Sequence, residues 1–360
     1  MKITKSVKVL SLAVVSAAAL AACSSSTSSD SNSDGISCES GSIKASGSTA
    51  QKNAMTEWIN AYQSACSGAT IDYQGNGSGA GVQDFINAQT AFAGSDSAVK
   101  DADLTAASKR CASGPAINMP MVGGAITAAY NVDGVDKLTL TPKLLADIFS
   151  SKITKWNDPA IAAANSGVTL PDATIVQFHR SDSSGTTDNF TQYLVATAPD
   201  EWKYTPGKDW TAPGGQGSKG NDGVAASVKS TKNAIGYIEL SFAQDQQLNT
   251  ASIDNGGGAV APSAETGSAA LALATVTGSG NNLPLKIDYA TKDPAAYPLV
   301  LVTYEVTCEK GLASDLLPLT KSFLTYTASD SAQSKLADTG YVPIPAELLT
   351  KVNTAVGSLS

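Results

Sequence analysis

Three times along this chain, a short β-rich run ends in a loop of glycine and small hydroxyl residues. Each loop opens directly into an amphipathic helix. Ser42–Ala45 leads through Ser46-Gly47-Ser48-Thr49-Ala50 to a helical face of Met55, Trp58, Ile59 and Tyr62. Ala69–Gln74 leads through Gly75-Asn76-Gly77-Ser78-Gly79-Ala80-Gly81 to Val82, Phe85 and Ile86. His179-Arg180 leads through Ser181-Asp182-Ser183-Ser184-Gly185-Thr186 to Phe190, Tyr193 and Leu194. The apolar spacing i, i+3, i+4 is helical in all three. Strand and helix signals that alternate in this way restrict the fold to the α/β class, with mixed, largely parallel sheets flanked by helices.

About 320 folded residues exceed what one core usually holds, so two lobes are expected. Ala125–Asn131 is an apolar strand suited to carry the chain from the first lobe to the second, and Tyr297–Tyr304 is suited to bring it back. That division gives lobe I as 41–131 plus 298–360 and lobe II as 132–297. Within lobe II a helix is predicted near Pro142–Phe149, a glycine-rich loop at Pro213–Gly220 and a strand at Ala234–Leu240.

The junctions also carry chemistry. The first turn of a helix leaves N–H groups without intrahelical partners, at the positive end of the helix dipole. A single glycine-serine loop before a helix reads as an N-cap. Three of them, one bearing Arg180, read as an anion grip if the fold brings them to one place. Arg180 offers a rigid fork of donors, and Asp182 is placed to orient it.

The N-terminus is built for export. Lys2, Lys5 and Lys8 precede an apolar stretch, Val9–Ala19, too short to span a bilayer comfortably. Leu20-Ala21-Ala22-Cys23 follows as a lipobox, so residues 1–22 read as a lipoprotein signal peptide and Cys23 as the residue that takes the lipid. Residues 24–40 are nearly all Ser, Asp, Thr, Asn and Gly, a composition that forms a flexible tether. Removing the signal takes away three lysines and moves the formal charge from −8 to −11. So acidic a chain is not expected to bind nucleic acid or anionic lipid through its overall field. An anion must then be held locally, by short-range donors in a dry cleft.

Four cysteines remain after Cys23. Cys38 and Cys66 each stand just before one of the first two strands, and those starts lie side by side if the strands are parallel neighbours. The pairing Cys38–Cys66 follows, and Cys111–Cys308 by elimination, in an oxidising compartment. The single histidine, His179, and the cysteine spacing argue against a metal site. No cofactor is expected. Trp156 is assigned to packing, and Asn221 and Asp222 to a turn and N-cap.

Seven segments then occur together in order. They are Gly47–Ala50, Tyr73–Gly79, Phe92–Asp96, Lys152–Asp158, Arg180–Thr186, Gly220–Gly223 and Ala234–Glu239. Together they resemble the phosphate-binding lipoproteins of Pst-type ABC phosphate importers, from about Gly41 to Pro343-Ile344-Pro345. The resemblance implies a two-lobed periplasmic-binding-protein fold of type II that closes on inorganic phosphate in the cleft between its lobes. It implies ligand contacts from Ser48, Thr49 and Ala50, from Ser78, from Asp96, and from Arg180, Ser184, Gly185 and Thr186. Ala50 departs from the aromatic residue common at that position. Implied partners are two permease subunits and an ATPase, with a monomeric binding protein held to the cell membrane through its lipid alone, on the extracytoplasmic face.

Asp96 is read differently from the two directions. On the residues alone it caps a helix starting near Ser97; the resemblance makes it the acceptor for a proton carried by the anion. A carboxylate facing an anion is tolerated only if the anion has a proton to donate, which phosphate and arsenate have and sulfate at neutral pH lacks. Rival readings are a binding protein for sulfate, molybdate or arsenate, or a secreted phosphohydrolase with Ser78 or Ser184 as nucleophile. His179, on the far face of its strand, is poorly placed as base for either serine. Turnover of a chromogenic phosphate ester separates the enzyme reading from the binding one.

Overall fold

The computed structural model describes residues 36–360. The signal segment, Cys23 and the first part of the tether lie outside the described residues. The three junctions fold as their patterns require. Strand β1 (Gly41–Gly47) enters helix α1 (Lys52–Ala65), β2 (Ala69–Gln74) enters α2 (Ser78–Ile86), and β5 (Val176–Arg180) enters α3 (Gly185–Thr197). Between them β3 (Phe92–Ser95) ends just before Asp96, and β4 (Ala116–Asn131) runs for 16 residues. A fourth junction joins β6 (Gln216–Ser218) to α4 (Gly220–Ser230). It is followed by β7 (Ala234–Glu239) and, much later, β8 (Val300–Cys308).

These strands form one nine-stranded sheet in the order β2-β1-β3-β8-β4-β7-β5-β6, with the short strand Asn249–Thr250 against β4. The strands that feed helices pair in parallel: β1 with β2 and β3, and β5 with β6 and β7. The two central strands do not. β8 is antiparallel to β3 and β4, and β4 is antiparallel to β7. The sheet is therefore mixed, because β4 and β8 carry the chain across the molecule in opposite directions with no helical crossover of their own.

β4 is buried along all but its last residue. A strand covered on both faces reads as a near-continuous apolar run, which Ala116–Asn131 does. Its first part, through Ala125, pairs with β8, and the rest, from Ile126, pairs with β7. The cores divide at the same place. One contains buried residues from 36–122 and 302–359, joined by Leu271 and Leu283. A second runs from Ala125 to Leu301 and takes in Ala50. A third, smaller cluster around Phe178, Val224 and Ile238 fills the space beneath α4.

Cys38 is joined to Cys66, the pairing suggested by the placing of the strands, and Cys111 to Cys308, the pairing left by elimination. Among the described residues no helix is long and apolar enough to cross a membrane. Three local expectations change. The helix after Asp96 spans Asp101–Arg110 and starts from Lys100, so Asp96 does not cap it. Asn221 and Asp222 lie in the first turn of α4, one and two residues past Gly220; Lys219 holds the cap position. The strand expected to reach Leu240 ends at Glu239, and Leu240 begins a short helix. Trp156 is fully buried, its indole N–H donating to the Asn233 carbonyl at 3.0 Å, in keeping with packing.

Candidate anion-binding site

The four junctions converge. Ser48 and Thr49 precede α1, Ser78 opens α2, Gly185 and Thr186 open α3, and Asn221 sits in the first turn of α4. Neither α1 nor α2 has a side-chain cap on its first N–H groups. In α3 the Ser184 hydroxyl accepts the Thr187 N–H at 3.1 Å, which fixes the turn that presents Gly185 and Thr186. The junctions also touch. The Gly79 N–H donates to the Ser183 carbonyl at 3.0 Å. The Asn221 amide donates to the Thr49 hydroxyl at 2.9 Å and to the Thr186 hydroxyl at 3.4 Å.

Arg180 is buried at 2 % exposure, the deepest placed cation of the site. Its Nε donates to Asp182 Oδ1 at 2.8 Å and its Nη2 to Oδ2 at 2.5 Å, a bidentate pair. Nη1 donates to the Thr186 hydroxyl at 3.2 Å, so one edge of the fork faces Asp182 and the other turns to the junctions. Burial pushes the Asp182 carboxyl up. The Arg180 guanidinium and the Gly220 N–H, which donates to Oδ1 at 3.0 Å, more than offset this and hold it below its ordinary value. Asp182 is thus an orienter, satisfied by its own partners. Behind Arg180 its backbone N–H donates to the Tyr237 hydroxyl at 3.0 Å. Tyr237 stacks between Phe190 and Trp210, and Trp210 in turn stacks on His179. His179 is therefore structural: half-buried, on the far face of its strand, and pushed down in basicity by burial.

Across from Arg180 lies Asp96, 2 % exposed. Three hydroxyls serve its carboxylate: Ser48 and Thr303 donate to Oδ1, the latter at 2.8 Å, and Ser78 donates to Oδ2 at 3.2 Å. Burial raises its proton affinity; the hydroxyls and the Arg180 charge oppose the rise without cancelling it. A buried carboxylate so placed is a strong acceptor for a proton brought by a ligand. Its backbone carbonyl accepts from the Asn189 amide at 2.8 Å, and the Ser97 hydroxyl next to it donates to Asp188 at 2.5 Å. Both bonds reach α3. A cavity of about 750 Å³ borders the same place, lined by residues including Asp96, Lys100, Asp188, Lys286 and Tyr289.

Of the residues expected at the site, Ser48, Ser78, Asp96 and Gly185 meet at one place, Arg180 reaches Thr186, Asn221 joins Thr186 to Thr49, and Ser184 caps the turn beside them; only Asp96 lines the cavity. Ala50 is fully buried with its carbonyl accepting from the Tyr341 hydroxyl at 2.6 Å, so only its backbone is at the junction. Thr303, Asn189 and Tyr237 are not foreseen from the sequence, and Asn221 reads there as a turn residue for which the resemblance leaves only a supporting role open. Among the described residues no cluster of His, Cys, Asp and Glu could hold a metal ion. The arrangement supplies N–H donors, hydroxyls and one cation on several sides of a point, and one acceptor opposite. That is complementary to a tetrahedral oxyanion that carries a proton.

Known proteins agree with this architecture. Residues 32–331 match the model of the PBP superfamily domain. The phosphate-binding protein PstS 3 of Mycobacterium tuberculosis is 45 % identical over 322 residues, 88 % of this chain and 86 % of that protein. The phosphate-binding protein PstS 2 of the same species is 38 % identical over 364 residues, covering 97 % of this chain and 98 % of that one. A high-affinity periplasmic phosphate-binding protein solved with phosphate bound superposes with a TM-score of 0.69 at 20 % identity, covering 87 % of this chain and 93 % of that one, a likeness of fold. On the strength of both the superfamily match and the relatives, this chain belongs to the PBP superfamily and, within it, to the PstS family of phosphate-binding proteins.

Proposed function

We propose that the protein captures inorganic phosphate outside the cytoplasm and delivers it to an ABC-type importer. The observation that carries this reading is the pairing of opposites in one buried cleft. Arg180 and the helix N-termini attract any oxyanion, while Asp96 accepts only from one that is protonated. Ser48, Thr49, Ala50, Ser78, Asp96, Arg180, Ser184, Gly185 and Thr186 are the proposed ligand contacts, with Asp182 holding Arg180. Each charge-assisted bond nets about 1.5–3 kcal/mol. Several of them reach the −8 kcal/mol or so of micromolar binding despite the acidic surface.

In this reading 41–131 plus 298–360 and 132–297 close on the anion as two lobes, hinged at β4 and the start of β8. The closed form is then recognised by two permease subunits and their ATPase. The protein acts as a monomer without enzymatic turnover, held to the extracytoplasmic face of the membrane by lipid on Cys23 through the serine-rich tether. Titration calorimetry of the purified protein with phosphate and with sulfate tests the proposal. Saturable phosphate binding with weak or undetectable sulfate binding is expected; equal binding of both, or none of phosphate, overturns it.

A further inference from the structure

Below the anion site lies a second buried acid that the binding chemistry does not use. Glu305 sits in β8, two residues from Thr303 and on the same face, with Gly94 of β3 and Met119 of β4 as its cross-strand neighbours. It is fully buried, and neither of its carboxyl oxygens has a partner at normal hydrogen-bond distance and angle, although the Gln51 amide lies near enough to lower its proton affinity. Gln51, at the N-terminus of α1, is fully buried too, and its Oε1 is likewise without a donor. The two orphans are complementary: an uncharged carboxyl group has the proton that the Gln51 oxygen lacks.

Gln51 connects this acid to the site. Its Nε2 donates to the Tyr73 hydroxyl at 3.0 Å, Tyr73 donates to the Ser48 carbonyl at 2.7 Å, and the Ser48 hydroxyl donates to Asp96. The chain of contacts runs over Gly94, where a β-carbon would lie 2.1 Å from Gln51 Nε2 and 2.6 Å from Tyr73 Oη. Glycine at the cross-strand neighbour of Glu305 is what lets the amide and the phenol lie over the strand. The titratable groups facing Glu305 are Tyr73 and Asp96; Gly94 and Met119 bring no charge. We propose that Glu305 is a positioning residue of the anion site. Uncharged, it holds Gln51 and Tyr73 beneath the Ser48 turn; charged, it sets a second buried carboxylate behind Asp96 and weakens phosphate binding at alkaline pH.

The electrostatics run the same way. Burial pushes Glu305 up to about 8; the Gln51 amide opposes this and the Asp96 charge adds to it. Burial, then Glu305, pushes Tyr73 well above its ordinary value, so the phenol stays a donor throughout. An anion entering the cleft adds negative charge and favours the protonated form of Glu305 further. Ionisation of Glu305 therefore competes with binding, and the loss approaches tenfold per pH unit above its midpoint.

The proposal rests on phosphate being the ligand, and the test keeps the two apart. Phosphate affinity is measured by calorimetry at pH 7, 8 and 9 for the parent protein and for Glu305→Gln, which keeps the shape and cannot ionise. Between pH 8 and 9 free phosphate is already dibasic, and the parent is expected to lose about fivefold while the variant loses less than twofold. Over pH 7 to 9 the ratio of the two dissociation constants should change about tenfold. Glu305→Met, of similar volume and apolar, replaces the Gln variant if that one does not fold, and should show the same flat profile. Its phosphate affinity should also be lower than the parent's at pH 7, where Glu305 is protonated, because Gln51 Oε1 is left without a donor. Parallel pH profiles with phosphate binding intact, or a parent whose affinity is constant from pH 8 to 9, overturn the role given to Glu305. A parent that binds no phosphate at pH 7 overturns the function itself.

Discussion

Gly185 and Asp96 approach so closely that a β-carbon on Gly185 would lie 2.5 Å from the β-carbon of Asp96. The same added atom would lie 2.6 Å from the Ser78 hydroxyl oxygen. No real β-carbon sits that near another side chain, so the junctions of α2 and α3 can meet only over a glycine. Gly185→Ala should hold the two apart and weaken phosphate binding by at least tenfold, about 1.4 kcal/mol. Thermal unfolding of the free protein should change little. Unchanged affinity in calorimetry would show that the approach is not needed for binding.

Asp96→Asn should shift selectivity rather than abolish binding. The amide no longer repels an unprotonated oxygen and can donate to it, so sulfate gains while phosphate loses its acceptor. A tenfold or greater fall in the ratio of sulfate to phosphate dissociation constants is expected, read by competition. If discrimination survives intact, the acceptor role of Asp96 is wrong.

Much of this was legible from residue order, because it is local. A strand, a glycine-serine loop and a helix lie within some twenty residues of one another, and Arg180 with Asp182 is a neighbouring pair. Thr303 was not legible. In Val300–Cys308 it reads as one more β-branched residue of a buried strand, and its reach to Asp96 depends on β8 lying against β3, a pairing across some two hundred residues. The same holds for Asn221, whose partners Thr49 and Thr186 belong to two other junctions. The opposite senses of β4 and β8 are implied by an outward and a return crossing, but their antiparallel pairing with β7 and β3 was hidden for a related reason. Repeated strand–helix units imply parallel neighbours, but a strand that only crosses the molecule has no helix to fix its sense.

Asn221 and Asp222 are adjacent and should behave oppositely. Asn221 is buried and spans Thr49 and Thr186, whereas the Asp222 pair with Lys52, at 2.7 Å, is half exposed. Asn221→Ala leaves buried hydroxyls short of a partner and should cost roughly 1–3 kcal/mol of binding, a loss of about fivefold or more. Asp222→Ala should stay within twofold, as exposed ion pairs do. Comparable losses in the two variants would mean that the surface pair, not the buried amide, ties the cleft.

Glu305 should also mark the stability of the protein. Folded, it keeps a proton up to about 8 that the unfolded chain releases in the ordinary glutamate range. The folded state therefore binds more protons between those limits, and stability falls as pH rises through that window, by at most about 1.4 kcal/mol per pH unit from this group. Glu305→Gln removes the penalty, so its advantage in unfolding temperature over the parent should be larger at pH 8 than at pH 5. An equal difference at both pH values would remove the basis for this assignment.

The disulfide Cys111–Cys308 joins the segment just ahead of β4 to the last residue of β8, where Cys308 pairs with Ala116. β4 and β8 are also the strands that pass between the two cores. A covalent pin at one end of an antiparallel ribbon forbids the strands from sliding past each other while leaving them free to flex beyond it. Force applied by a docking partner to one half of the molecule would then be carried as bending at Ala125–Ile126 and Leu299–Val300, not as slippage of register. Such a ribbon is a leaf spring clamped at its far end, and under the proposed lobe closure each opening of the cleft would return to the same closed alignment.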